Sequence, residues 1–292
     1  MSGAPIRNPV VNASLWMLGA LASFMAMAIG GRELSAEIGT FEILFFRSLV
    51  GLAIIGALLS RFGWRQISLR RFPLHFARNL SHFGGQFGWF YGIALIPLAE
   101  VFAIEFTAPI WTAVFAAVLL GERMTRARVA AIAFGIAGML IILRPGFAAV
   151  GTGSLAVLAA SVCYGFSHVL TRKLAQTETA LAILFYMTVI QLALAALPML
   201  AAWVTPSPAL WPWAAVVGAT GMSAHYCLTR ALMLADATVV VPMDFLRLPL
   251  VAVAGLVFYG EELDWLVLVG AAVMLIGNFV NILAERARPR AP

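Results

Sequence analysis

The chain has 292 residues, of which 62% are hydrophobic and only 11% charged, and its mean hydropathy is +0.96. A soluble domain is usually about 45–50% apolar and about 25% charged, so this composition excludes a water-soluble enzyme or binding module and makes lipid the solvent. The net charge of +6 does not point to nucleic acid, because the basic residues punctuate apolar runs and form no aromatic-interleaved patch.

Taken in chain order, apolar runs of about 20 residues, the length that crosses a bilayer, fall near 11–30, 40–59, 73–96, 98–120 and 126–144, then near 153–172, 180–203, 211–235, 236–259 and 264–284. The fold class expected is all-α, a polytopic membrane protein of ten transmembrane helices. Arg7, the following apolar run and "AMA" at Ala26–Ala28 resemble a cleavable signal peptide, but the run has a counterpart in mid-chain and is read as the first span. Cys163 and Cys227 fall in apolar runs and are read as buried thiols. Basic residues then set the direction. With the N-terminus inside, fourteen face the cytoplasm (Arg7, Arg61, Arg65, Arg70, Arg71, Arg78, Arg123, Arg126, Arg128, Arg172, Lys173, Arg286, Arg288 and Arg290) against Arg32 and Arg144 outside. Both termini are therefore expected in the cytoplasm.

The sequence is written twice. At a shift of 140, Ser14, Leu15, Leu18, Ala20, Arg32, Leu34, Ile43, Leu44, Phe45, Leu52 and Ala53 meet identical residues, eleven in forty positions, where roughly three or four would arise by chance. Toward the ends of the halves the shift is 139, placing Gly121-Glu122 on Gly260-Glu261 and Gly138 on Gly277. The halves are assigned to residues 11–144 and 153–284. Five spans per copy is an odd number, so the second copy enters the membrane inverted, the arrangement in which substrate sites lie near the midplane between repeats.

The same shift of 139 lays Asp244 on Glu105, one carboxylate in the fourth span of each copy. At 1.5 Å per residue they lie roughly 10–12 Å from opposite faces. Arg247, one turn beyond Asp244, has Ala108 as its counterpart. Charges in hydrocarbon are costly and mark transport pathways. Asp244 and Arg247 therefore either neutralise each other on one helical face or line a path, while Glu105 has no base in its own helix. Pro109 and Pro249 interrupt the same spans and are expected to free the carbonyls of Glu105 and Phe245. Arg47 is expected to bind an anionic group, or to clamp Glu105 or Glu42. Arg230 is read as snorkelling. Gly84, Gly88 and Gly92, spaced by four, are read as a helix-packing face. His82, His168 and His225 lack metal-like spacing and are expected to make buried hydrogen bonds, with a proton relay as the other reading. Trp89, Phe90, Tyr91 and Trp111 could stack on a flat or cationic ligand.

Pro109–Glu122, a proline and an apolar stretch closed by Gly-Glu, is followed by the glycine-containing "VAAIAFGIAGMLIIL" and matched by "RALMLADATVVVPMDFLRLPLVAVAGLVFYGE" in the second half. In that order, over residues 11 to 284, they resemble the drug/metabolite transporter superfamily of the EamA type. One departure is that Pro249 to Gly260 is one residue shorter than Pro109 to Gly121, so the second break is expected at a different place. The resemblance implies a ten-helix inner-membrane carrier without an ATP-hydrolysing domain or cofactor. Its relatives move amino acids, S-adenosylmethionine, riboflavin, sugars and other metabolites in either direction.

The expected function is secondary transport of a small polar or amphipathic metabolite by alternating access. Glu105, Asp244, Arg247, Arg47, Trp111 and Trp89 are the candidate substrate-binding residues. Arg247, with Arg47, would take an anionic group; Glu105 and Asp244 would take an amine or carry protons. The alternative is a passive facilitator or an exporter of metabolites or drugs with the same fold and no proton coupling. No HExxH or GxSxG elbow supports an intramembrane enzyme, and no metal is expected. The partners expected are a small-molecule substrate, the bilayer and protons, with a monomer forming a complete carrier.

Overall fold

The structure, a computed structural model, describes residues 9–122, 124–144, 150–201, 203–234, 240 and 243–286. Arg7, Arg123, Arg288 and Arg290, four of the residues used for orientation, lie outside them. The described residues form helices α1 (Pro9–Ser35), α2 (Thr40–Phe62), α3 (Phe72–Leu95), α4 (Leu98–Glu105), α5 (Ala108–Leu120), α6 (Arg126–Leu143), α7 (Thr152–Leu174), α8 (Ala180–Met199), α9 (Trp211–Leu234), α10 (Arg247–Tyr259) and α11 (Trp265–Arg286), with short 3-10 turns and, among the described residues, no strand.

Ten spans are expected from the sequence; seven helical segments are long and apolar enough to cross a membrane, Leu98–Leu120 among them. The remaining elements differ for physical reasons. Helices α3 and α9 have 24 residues each, but α3 carries His75, Arg78, Asn79, His82 and Gln86 and α9 carries His225 and Arg230, so their mean hydropathy is low. Helix α10 has only 13 residues because the chain breaks before it. The outward faces are apolar: Val118 is 75% exposed and Phe258 66%, which suits contact with lipid and not water.

The run 98–120 is two helices. α4 ends at Glu105, Phe106 and Thr107 form a turn, and α5 starts at Ala108. Thr107 Oγ1 donates to the Ile104 carbonyl at 2.8 Å and pairs with Ser161 Oγ of α7 at 2.7 Å, so the opened backbone has protein partners. Met243 and Asp244 are also helical, Phe245 and Leu246 turn, and α10 follows. The Phe245 carbonyl, expected free, accepts from Leu248 N at 3.1 Å. Both α5 and α10 are 13 residues long and end on left-handed glycines, Gly121 (φ 66) and Gly260 (φ 64). The one-residue difference in proline spacing therefore moves the proline from the second to the third helical position and leaves the break in register. Proline is tolerated in the first turn, where its missing N–H has no helical partner to lose.

Neighbouring helices come from opposite halves. α1 packs on α9, α3 on α7, α2 on α8 and α6 on α11. Glycines set the close approaches. On α3, a Cβ at Gly88 would fall on the Ala156 carbonyl of α7, one at Gly92 on Val157, and one at Gly84 would touch Cys163 Sγ at 3.5 Å, which is the packing role expected of this spacing. Between α6 and α11, Gly138 and Gly270 meet backbone to backbone. Cys163 and Cys227 are half-buried, not fully enclosed as expected, and abut Gly84 and Gly19 respectively. Arg78 is not exposed: it is buried, donating to Thr171 Oγ1 (3.0 Å) and Asn79 Oδ1 (2.6 Å).

Gly88→Val should lower the melting temperature in detergent, by the roughly 1–3 kcal/mol typical of overpacking. Gly56→Ala, where nothing lies within 4 Å of the new methyl, should leave it unchanged or raise it. Equal stability of the two variants would remove the helix-contact role of Gly88.

Candidate functional site

The helix breaks bring the intramembrane charges together. Glu105 sits on the last turn of α4 and Arg247 opens α10, with Asp244 one turn earlier. Arg247, only 5% exposed, donates from Nη2 to Asp244 Oδ2 at 2.7 Å, and its Nη1 lies 3.6 Å from Glu105 Oε1. The first distance is a direct charge-assisted hydrogen bond and the second is an ion pair without one. Trp89 of α3 donates its indole N–H to Glu105 Oε2 at 2.8 Å. Three rings form the other wall of the guanidinium: Phe24, Phe106 and Phe102 have their centroids 4.4, 5.2 and 5.5 Å from Arg247 Cζ, a cation–π environment that offsets part of the lost hydration. Asp244 Oδ1 and Arg247 Nη1 are buried without a hydrogen-bond partner.

Phe106 and Phe245, equivalent at the shift of 139, stack on each other with centroids 4.2 Å apart and planes at 18°. The carboxylates of Glu105 and Asp244 immediately precede this stack in sequence.

These residues line a cavity of about 240 Å³. Glu105, Asp244, Arg247, Arg47 and Trp89 all border it; Trp111 does not. The Trp111 Cβ is held against Gly165 of α7 and its indole N–H is buried without a partner, so of the two tryptophans proposed as ligands one faces the cavity and the other the α5–α7 contact. Arg47 of α2 is 5% exposed and makes neither an ion pair nor a hydrogen bond with the described residues. It faces the backbone of Gly221 on α9, where a Cβ would lie 2.9 Å from its Nε. The two clamps considered for it are not formed: Glu105 is taken by Arg247 and Trp89, and Glu42 accepts from Gly39 N (2.9 Å) and Val204 N (2.6 Å) at the start of α2.

His82, His168 and His225, which sequence spacing leaves unconnected, all border the same cavity, as do Gln86 and Tyr164. The rings of His82 and His225 are 6.1 Å apart and those of His82 and Tyr164 5.5 Å. His82 Nδ1 lies 2.9 Å from Gln191 Nε2. Arg230, by contrast, is over the rings of Trp16 (5.3 Å) and Tyr226 (6.0 Å), outside the cavity lining. Among the described residues no group of His, Cys, Asp and Glu has a metal-binding arrangement.

Removing Arg247 would leave two carboxylates facing each other without a counter-ion. Arg247→Met should destabilise by about 3–5 kcal/mol, the usual effect of breaking a buried pair, and adding Glu105→Gln and Asp244→Asn should restore part of it. Thermal melting of the single and triple variants tests this; a triple variant no more stable than Arg247→Met would mean that the guanidinium acts through packing alone.

Comparison with known proteins agrees with this architecture. The sequence profile of the EamA-like transporter family matches residues 11–144 and again residues 151–283. An S-adenosylmethionine uptake transporter of Rickettsia prowazekii is 24% identical over 277 residues, covering 94% of both chains. A riboflavin transporter of Rhizobium johnstonii is 28% identical over 279 residues, 94% of this chain and 89% of that one. A pseudopaline exporter of Pseudomonas aeruginosa is 27% identical over 267 residues, 89% of this chain and 93% of that one. A crystal structure of a chain 21% identical superposes with a TM-score of 0.65 over 95% of this chain and 99% of its own, a likeness of fold. With both halves matched and apolar helices crossing the membrane several times, the chain belongs to the EamA-like transporter family.

Proposed function

We propose that the protein is a secondary transporter of a small polar or amphipathic metabolite, of the amino-acid, S-adenosylmethionine or vitamin type, working by alternating access in a bacterial inner membrane. The observation that carries this reading is the 240 Å³ cavity in which Glu105 of one half and Asp244 of the other share Arg247. Relatives named for uptake and for export stand at similar identity, so the direction of transport is left to experiment. The chain crosses ten times with both termini in the cytoplasm, and its halves, 11–144 and 153–284, are inverted repeats that rock about the cavity.

Reciprocal contacts support a two-fold relation. Arg32 of the first half pairs with Glu261 of the second at 2.8 Å, and their repeat equivalents Arg172 and Glu122 pair at 2.5 Å. In the proposed orientation the first pair closes the outer face and the second the inner. The outer pair has backbone partners, Glu261 accepting from Leu98 N (2.9 Å) and Arg32 donating to the Ile96 carbonyl (2.7 Å); in the inner one Glu122 also pairs with Arg128 at 2.8 Å and Arg172 is 64% exposed.

Within the cavity Trp89 fixes one oxygen of Glu105 and Arg247 one oxygen of Asp244; Glu105 Oε1 keeps only the 3.6 Å ion pair with Arg247 and Asp244 Oδ1 has no hydrogen-bond partner, and these two oxygens would receive a substrate amine or a proton. Proton coupling would use these two carboxylates; a facilitator would use the same geometry without cycling protons. Accumulation of substrate in vesicles under an imposed pH gradient separates the two.

The first experiment compares metabolites inside and outside cells producing the wild type or the Asp244→Asn, Arg247→Gln double variant, at matched amounts in the membrane. A compound whose gradient shifts at least about tenfold more with the wild type is expected. Identical profiles, with both proteins folded and inserted, would count against a transport site at this pair.

A further inference from the structure

On the reading that this cavity holds the substrate, we infer that the substrate is a small zwitterion, its carboxylate at Arg47 and its ammonium between Glu105 and Asp244. The cavity has two poles of opposite sign. At one, Arg47 is buried and has neither an ion pair nor a hydrogen bond with any described residue. Arg78, a second buried guanidinium held by the neutral Thr171 and Asn79, adds positive charge and no counter-ion on this side. At the other pole, two carboxylates share one guanidinium, and one oxygen of each lacks a direct hydrogen bond. Tyr164 also borders the cavity.

A buried charge without a partner is unfavourable by several kcal/mol, and a ligand that supplies the partner recovers that energy. An amine alone would leave Arg47 uncompensated, and a carboxylate alone would leave the acidic pole so. One molecule bearing both charges satisfies both poles and introduces no net charge into the membrane interior. Size narrows the class further. A cavity of about 240 Å³ falls below the roughly 300–1,000 Å³ of pockets for drug-sized ligands, which fits a molecule of amino-acid dimensions. The stacked Phe106 and Phe245, with Phe90 and Phe24, offer an apolar wall for its side chain.

The test uses purified full-length protein in detergent and thermal stabilisation as the readout, so it does not depend on observing transport. The probes are L-methionine, L-phenylalanine and L-tryptophan, each beside its carboxamide, which lacks the negative charge, and its N-acetyl form, which lacks the positive one. At least one amino acid should stabilise the wild type, with both blocked forms about 30-fold weaker or more. Arg47→Met should erase the preference for acid over amide, Arg47→Lys should keep much of it, and Glu105→Gln should narrow the preference for free amine over N-acetyl. Stabilisation by none of the amino acids, amides that bind as well as the acids, or an Arg47→Met variant that still discriminates would each overturn the zwitterion assignment. The transport reading itself stands or falls separately, on the metabolite comparison with the Asp244→Asn, Arg247→Gln variant.

Discussion

A guanidinium shared between two carboxylates from different halves of the chain is the constraint on which the rest of the architecture turns. Arg247 is buried in a protein whose outer surface faces hydrocarbon, and such a charge is tolerated only when paired. Its partners come from different halves: Asp244 is three residues away, before the turn that precedes α10, and Glu105 arrives from the first half beside the stacked Phe106 and Phe245. The breaks after Glu105 and Asp244 follow from this requirement. A continuous helix would carry its polar residues on a fixed spiral, whereas a turn between α4 and α5 lets the carboxylate end one helix while the next begins beside the opposing cation. Glycine contacts between helices of opposite halves then bring the walls close enough to shield the cluster.

The halves are alike in backbone and unlike in charge. α5 and α10 match in length and in their left-handed terminal glycines, and the Arg–Glu pairs at the two faces exchange partners between halves. The polar lining does not follow that symmetry. Arg47, His82 and Arg247 stand at positions where the other copy has Met187, Met222 and Ala108. The frame is shared between the halves, while the side chains that border the cavity form a single asymmetric set. The low hydropathy of α3 and α9 belongs to the same division of roles, because the residues that lower it include the ones that border the cavity.

Much of this was legible in the sequence because a repeat reports equivalent positions. The shift that pairs Glu105 with Asp244 singled out both acids, and the three-residue spacing of Asp244 and Arg247 anticipated their contact. What neither spacing nor repeat reports is which helix lies beside which. The Trp89–Glu105 hydrogen bond depends on α3 lying beside α4, the burial of Arg78 on α3 lying beside α7, and the gathering of His82, His168 and His225 on α3, α7 and α9 bordering one cavity. Trp111 shows the converse: two residues after a cavity-lining proline, it turns toward Gly165 instead, since adjacent helical positions face different directions. Arg47 was visible as an oddity, but only the structure removes its two nearest candidate partners and leaves it unpaired.

The absence of an Arg247 equivalent in the first half has a consequence for how such a chain can be assembled. Two copies of that half, brought together as the two halves are here, would set one Glu105 against another with Ala108 where the cation is needed, and the mutual repulsion would oppose their union. The two unlike halves meet no such obstacle. The difference at this position thus gives the first half a reason to pair with the second and not with itself, and carrying the two in one chain fixes their stoichiometry at one to one.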